Sequence, residues 1–181
     1  MFGELGYDAA TFQAIAVRSD LTRPAINHYF ASKRVLYREV VEQTNAMVVA
    51  SGSERARAQT TLVGRLEAFI AAAVAVDSHD RSAAAFLVTS VLEAQRHAEL
   101  REDDIDPLQN LRAFVTWAVT EAIKSGELAP GIDLPAVVEM LVAVLWGVGF
   151  YAGFVGGHDE LERITGQLRL LLEQRLWQLQ S

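Results

Sequence analysis

The spacing of apolar residues gives its first clear signal near the amino terminus, where Phe12, Ile15 and Ala16 fall on one face of a short helix running to about Arg18. Thr11 stands where a hydroxyl can accept from a first-turn N–H. Ser19-Asp20-Leu21 then breaks the pattern, and Thr22 caps a second short helix ending near Phe30. Pro24 fits its first turn, where an amide has no intrahelical partner to lose. Ser32 caps a longer helix whose apolar positions Val35, Leu36, Val40 and Met47 recur at helical spacing. Two short helices joined by a tight turn make a helix-turn-helix pattern. Leu5, Phe12, Ile15, Leu21, Ile26 and Phe30 are its expected core.

Polar residues Ser51 to Arg57 are expected to mark a joint, dividing the chain into units 1–50 and 51–181. Five further helices are predicted over Thr61–Asp77, Arg81–Ala98, Pro107–Ser125, Leu134–Phe154 and Glu160–Leu179. Gly126 is placed just past a helix end and Asp133 as an N-cap. No run alternates with period two for long enough to be a strand, so the expected fold class is all-α. With 51% hydrophobic and 22% charged residues and four prolines, the composition favours the same reading. One helix tests it: Met140 to Gly157 is uncharged and just reaches the roughly 18 residues that can span a bilayer. Its glycines (Gly147, Gly149, Gly153, Gly156 and Gly157), Glu139 before it and the lack of a basic flank suit burial between protein neighbours, so no membrane is expected.

Charge changes the picture more than composition does. The net charge is −7, yet within residues 1–50 Arg18, Arg23, Lys33, Arg34 and Arg38 balance Glu4, Asp8, Asp20, Glu39 and Glu42. The whole deficit therefore lies beyond residue 50, and Arg18 to Arg38 is a basic window that attracts a phosphate backbone. There is no cysteine, hence no thiolate chemistry. Nor is there a nucleophile elbow, a metal-ligand helix or a phosphate loop. Gly147-x-Gly149 follows no strand, Asp103, Asp104 and Asp106 read as a solvated turn, and His28 has no ligating neighbour at helical spacing. The residues therefore argue for neither enzyme, metal nor cofactor. With no secretory pattern in Met1-Phe2-Gly3-Glu4-Leu5, a cytoplasmic product is expected.

Leu5-Gly6-Tyr7-Asp8-Ala9-Ala10-Thr11-Phe12-Gln13-Ala14-Ile15-Ala16, followed by Leu21-Thr22-Arg23-Pro24-Ala25-Ile26-Asn27-His28-Tyr29-Phe30-Ala31-Ser32-Lys33, resembles the DNA-binding domain of the TetR family of transcriptional regulators. The resemblance implies a double-stranded DNA operator as partner, with the helix from Thr22 to Tyr29 entering the major groove by its N-terminal end. Arg23 can bond guanine O6 and N7 together, and Asn27 can pair with adenine or hold a phosphate. Tyr29 and Lys33 are implied phosphate contacts. Thr22, Pro24, Ala25 and His28 would lie on or beside the groove face, and Thr11, which caps the helix before them, is a further expected DNA-binding residue. Asp20 stands where the family carries glycine, so a positive φ is expected at a residue that tolerates it. Family members also have a full helix before Phe2-Gly3-Glu4-Leu5, of which only the last turn is present here. The alternative expectation is accordingly a dimeric ligand-binding protein with weakened DNA affinity.

For the rest of the chain the resemblance implies a homodimer joined through a four-helix bundle of the last two helices. Val137, Leu141, Val144, Trp146, Phe150 and Phe154 on one, and Ile164, Leu168, Leu172 and Leu176 on the other, supply the apolar surface. Gly149 and Gly153 would permit close helix approach. A pocket is expected between Thr61 and Tyr151, lined by some of Phe69, Phe86, Leu92, Leu111, Phe114, Trp117, Leu141 and Leu145, with Glu93, Gln95 and His97 as polar candidates. Its effector would be a small apolar molecule whose binding releases a repressor from a palindromic operator.

Overall fold

A computed structural model describes residues 1–76, 82–100 and 108–176, and among these every regular element is helical. They are α1 (Phe2–Ala9), α2 (Phe12–Arg18), α3 (Arg23–Tyr29), α4 (Lys33–Arg57), α5 (Leu62–Val76), α6 (Ser82–Arg96), α7 (Gln109–Lys124), α8 (Leu134–Phe154) and α9 (His158–Leu172), with a 3-10 turn at Ala98–Leu100. The capping signals explain most of the starts. Thr11, Thr22 and Ser32 each accept from the amide three residues on, at 3.2, 3.3 and 3.2 Å, and Asp133 does the same for α8 at 3.1 Å. α7 ends at Lys124, and Gly126, with a φ of 78°, lets the Glu127 and Leu128 amides turn back to the Ala122 carbonyl. The Glu127 carboxylate then accepts from the Leu62 amide at 2.8 and 3.0 Å, fixing the start of α5 against the end of α7.

Two apolar cores result. One is built from α5, α7 and α8 with the far end of α4, around Leu66, Phe69, Phe114, Val115 and Leu141. The other joins the amino-terminal helices to α6 through Phe2, Tyr7, Tyr37 and Phe86. Phe2 and Tyr7 each meet Tyr37 edge-on with ring centroids 5.0 Å apart, and Tyr37 meets Phe86 at 5.7 Å. α4 contributes to both.

Several expectations are corrected. Leu5 and Leu21 are about half exposed rather than core, because Leu5 closes the single turn before the Gly6 kink and Leu21 sits in the turn between α2 and α3. On α4, Leu36 is buried and Val40 packs against the same core as expected, whereas Val35 and Met47 face solvent and Tyr37, Val41, Asn45, Gly52 and Ala56 are buried. The small or polar members of that face mark close approach rather than apolar bulk, so a count of hydrophobic residues recovers only part of the stripe. Ser51–Arg57, expected as a joint, forms the last turns of α4. α9 starts two residues earlier than expected, at His158, and stops at Leu172, where Gln174 takes a φ of 59°. The expected helix ends at Asp77, Arg81, Pro107 and Leu179 lie outside the described residues, as does the run Asp103–Asp106.

α8 is, among the described residues, the one helix long and apolar enough to cross a membrane by length and composition. It packs against α6, α7 and α9. Gly149 and Gly153 serve this packing: a Cβ on Gly153 would stand 2.7 Å from the Ala85 nitrogen of α6, so the close approach they permit lies within one chain.

Candidate nucleic-acid interface

The amino-terminal unit holds α3 as a short, exposed helix. α2 and α3 are joined through Asp20, whose φ of 53° is the left-handed conformation expected at this position. Ile26 is α3's buried anchor at 4% exposure, and Phe12, Ile15 and Phe30 pack against the same core. The other side of α3 is open. Thr22, Arg23, Pro24, Asn27, His28 and Tyr29 are exposed and Ala25 is half-buried, so the stretch Thr22–Tyr29 shows one anchor and otherwise a surface. Tyr29 is 74% exposed and stacks edge-on with His28, ring centroids 5.3 Å apart. An exposed tyrosine just before the capped N-terminal end of α4 offers a hydroxyl donor beside partly positive amides.

The basic window is partly committed inside the protein. Arg18 forms a two-pronged pair with Glu4, its Nη2 at 2.7 Å from Oε1. That contact holds the Glu4 carboxyl below its usual range, since the Arg18 hydrogen bonds favour the ionised form. Lys33 donates to the carbonyls of Tyr7 at 2.8 Å and Asp8 at 3.3 Å, with its ammonium 4.2 Å above the Tyr7 ring. It thereby ties the end of α1 to the start of α4. Arg34 donates to the Glu99 carbonyl at 3.3 Å. Arg23, in contrast, makes no ion pair or side-chain hydrogen bond among the described residues, and stands at the first position of α3.

α1 and α6 meet at a second polar cluster. His97 lies with Nε2 at 3.2 Å from Glu93 and 3.5 Å from Asp8, and Nδ1 at 3.7 Å from Glu99. Glu93 also accepts from the Tyr7 amide at 3.4 Å. Glu93 and His97, expected as polar recognition groups of an effector, thus sit where the amino-terminal unit rests on α6. No pattern in the sequence pairs Tyr7, Tyr37 and Phe86 with this junction, because they come from three distant segments.

The expected pocket residues divide. Phe69, Leu111, Phe114, Leu141 and Leu145 share the first core, with Trp117 packed against it; Phe86 belongs to the second core, and Leu92 is half exposed. Phe69 and Phe114 stack with centroids 4.3 Å apart, and Trp117 follows at 6.0 Å from Phe114. Phe69 also lies flat on α4, where a Cβ at Gly52 would stand 2.5 Å from its ring. Of the expected dimer residues, Phe150, Phe154 and Leu176 are exposed and Trp146 is half-buried. Leu168 and Leu172 turn towards α5, lining a groove of about 360 Å³ with Leu66, Ile70 and Leu161.

Residues 1–40 match the sequence family described as bacterial regulatory proteins, tetR family. No curated protein matches. Among solved structures, the TetR family transcriptional regulator PfmR from Thermus thermophilus superposes with a TM-score of 0.73 at 19% identity, over 98% of this chain and 94% of that one. A bacterial regulatory protein in the tetR family from Rhodococcus gives 0.68 at 17% identity, over 97% and 90%. Salmonella enterica GusR gives 0.68 at 21%, over 97% and 88%. At these identities the likeness is one of fold.

Proposed function

We propose that the chain, whose residues 1–40 match the tetR family of bacterial regulatory proteins and whose fold is that of TetR-family regulators, is a DNA-binding transcriptional regulator: a homodimeric repressor of a palindromic operator, released by a small molecule. The observation that carries this reading is α3 itself: a helix capped by Thr22, anchored by Ile26 alone, and displaying Arg23, Asn27, His28 and Tyr29 with the Arg23 guanidinium uncommitted. In a major groove the fork of Arg23 specifies a base, while the Tyr29 hydroxyl and the amides at the helix start hold phosphate. Lys33 ties the end of α1 to the start of α4 and is, in this reading, a further phosphate contact.

A second copy supplies the palindrome. Phe150 and Phe154 on α8 and Ile164 and Leu171 on α9 expose apolar side chains that a partner chain would cover. The two α3 helices would then sit about one helical turn, ~34–36 Å, apart. Release follows from α4, which touches both cores. An effector entering beside Phe69 moves that ring against Gly52, and α4 passes the movement to the amino-terminal unit. The effector shifts the dimer only by as much as it prefers the displaced arrangement.

A gel-shift titration against a randomised duplex pool at stated salt tests the reading. Arg23→Ala should cost about 1–3 kcal/mol on the selected site and relax preference at one base pair, and Tyr29→Phe should weaken all duplexes alike. A full-length dimer that shows no preference among duplexes sinks the proposal.

A further inference from the structure

Arg65 is the least expected charge in the molecule. It lies in the second turn of α5, 8% exposed, and among the described residues no carboxylate stands within ion-pair distance of it. Its Nη1 donates to the Ala118 carbonyl of α7 at 3.4 Å, its Nε has no partner, and Nη2 makes no hydrogen bond among the described residues. The guanidinium carbon sits 5.3 Å from the centre of the Trp117 ring, which covers one face. Glu121, held by Lys124 at 2.8 Å, feels the Arg65 charge only from beyond ion-pair distance, and Glu127 accepts from the Leu62 amide. A buried cation with no carboxylate in contact is costly, and an apolar residue of the same volume is often more stable at such a position.

The unused atoms define a shape. With Nη1 engaged, Nε and Nη2 form the side-on fork that a carboxylate takes with two parallel hydrogen bonds. Beside the guanidinium lies Trp117, followed by Phe114 and Phe69, each in ring contact with the next. Phe69 is one helical turn on from Arg65, on the same face of α5, and rests on Gly52 of α4. We propose that Arg65 is the recognition point for the carboxylate of a small amphipathic effector, a monocarboxylic acid with an apolar body that lies along Trp117, Phe114 and Phe69. This rests on the reading of the chain as a ligand-released repressor and specifies that ligand's chemistry. Binding supplies a carboxylate in direct contact, and the apolar body presses on the ring that abuts α4.

The test uses the full-length protein, straight-chain carboxylates from hexanoate to dodecanoate, and the 1-alkanols of equal length, with binding read by tryptophan fluorescence and calorimetry in the absence of DNA. At the best chain length the carboxylate should bind at least about tenfold more tightly than the alcohol. Arg65→Met should lose that preference while still binding the alcohol, and Arg65→Lys should keep part of it. Without ligand, Arg65→Met should melt above the wild type, since a buried charge with no carboxylate in contact has been removed. Equal affinities for acid and alcohol, no binding by any carboxylate, a preference that survives Arg65→Met, or a lower melting temperature for that variant would each overturn the assignment. Failure here is distinguishable from failure of the repressor reading: a chain that selects a DNA site but ignores carboxylates refutes only the former. One that binds carboxylates through Arg65 but no DNA refutes only the latter.

Discussion

Gly149 and Gly153 stand one turn apart on the face of α8 that meets α6, and alanine at the two should have opposite effects. In a helix interior Gly→Ala gains about 0.8–1 kcal/mol from backbone entropy alone. At Gly149 the new methyl would meet Val88 Cγ2 at 3.9 Å, an ordinary contact, so the full gain should appear. At Gly153 it would stand 2.7 Å from the Ala85 nitrogen, 2.8 Å from its Cα and 3.1 Å from its Cβ. Those are backbone atoms and a methyl without rotamers, so the helices must separate, at the upper end of the ~1–3 kcal/mol for overpacking. Subtracting the propensity gain leaves a net loss of about 2 kcal/mol. For a chain of this size 1 kcal/mol moves the melting temperature by about 2–4 °C. Gly149→Ala should therefore melt about 2–4 °C higher and Gly153→Ala about 4–8 °C lower, measured by calorimetry at one protein concentration because the proposed dimer would make Tm concentration-dependent. If both variants shift in the same direction, α6 and α8 do not approach as described.

Gly52→Ala should be destabilising despite the same propensity gain, because its methyl would drive Phe69 towards Phe114, already stacked at 4.3 Å; Phe69→Leu in the same chain should recover stability non-additively by more than about 0.5 kcal/mol in chemical denaturation. Tyr37→Phe should be neutral to stabilising near pH 7, since the buried hydroxyl has no partner among the described residues. Burial also holds the Tyr37 phenol neutral well above the ordinary value of 10.0, so stability present below pH 10 is lost as pH rises past it; Tyr37→Phe should flatten that alkaline loss in a pH series of melts. Thr22→Ala removes the cap on the Ala25 amide and should cost about 0.5–2 kcal/mol, read as lower affinity for every duplex as well as a lower Tm.

The caps, the Asp20 turn and the exposed side of α3 were legible because each depends on a few adjacent residues: a hydroxyl three residues before an amide, or a side chain that tolerates positive φ. The destinations of long side chains were not. Arg18 and Lys33 belong to a basic window by sequence, but Glu4 and the carbonyls of α1 claim them in space. The apolar positions of α8 and α9 likewise suggest a single interface, although Leu168 and Leu172 turn inward and Phe150 and Phe154 outward. Periodicity identifies a face without saying which neighbour it meets. Arg65 escaped notice for a related reason: a charged residue inside an apolar helical run reads as solvated until the helices around it are placed.

The continuity of α4 bears on how such a chain can be recombined. Its 25 residues carry Tyr37 in one core and Gly52 and Ala56 in the other, so the two cores are geared by a single helical phase. One residue inserted between Tyr37 and Gly52 would turn one core about 100° against the other, whereas four would return it to within about 40° and lengthen the helix by ~6 Å. Exchange of amino-terminal units between relatives should therefore succeed only where the splice preserves the residue count along this helix, a far narrower tolerance than a loop between the units would allow.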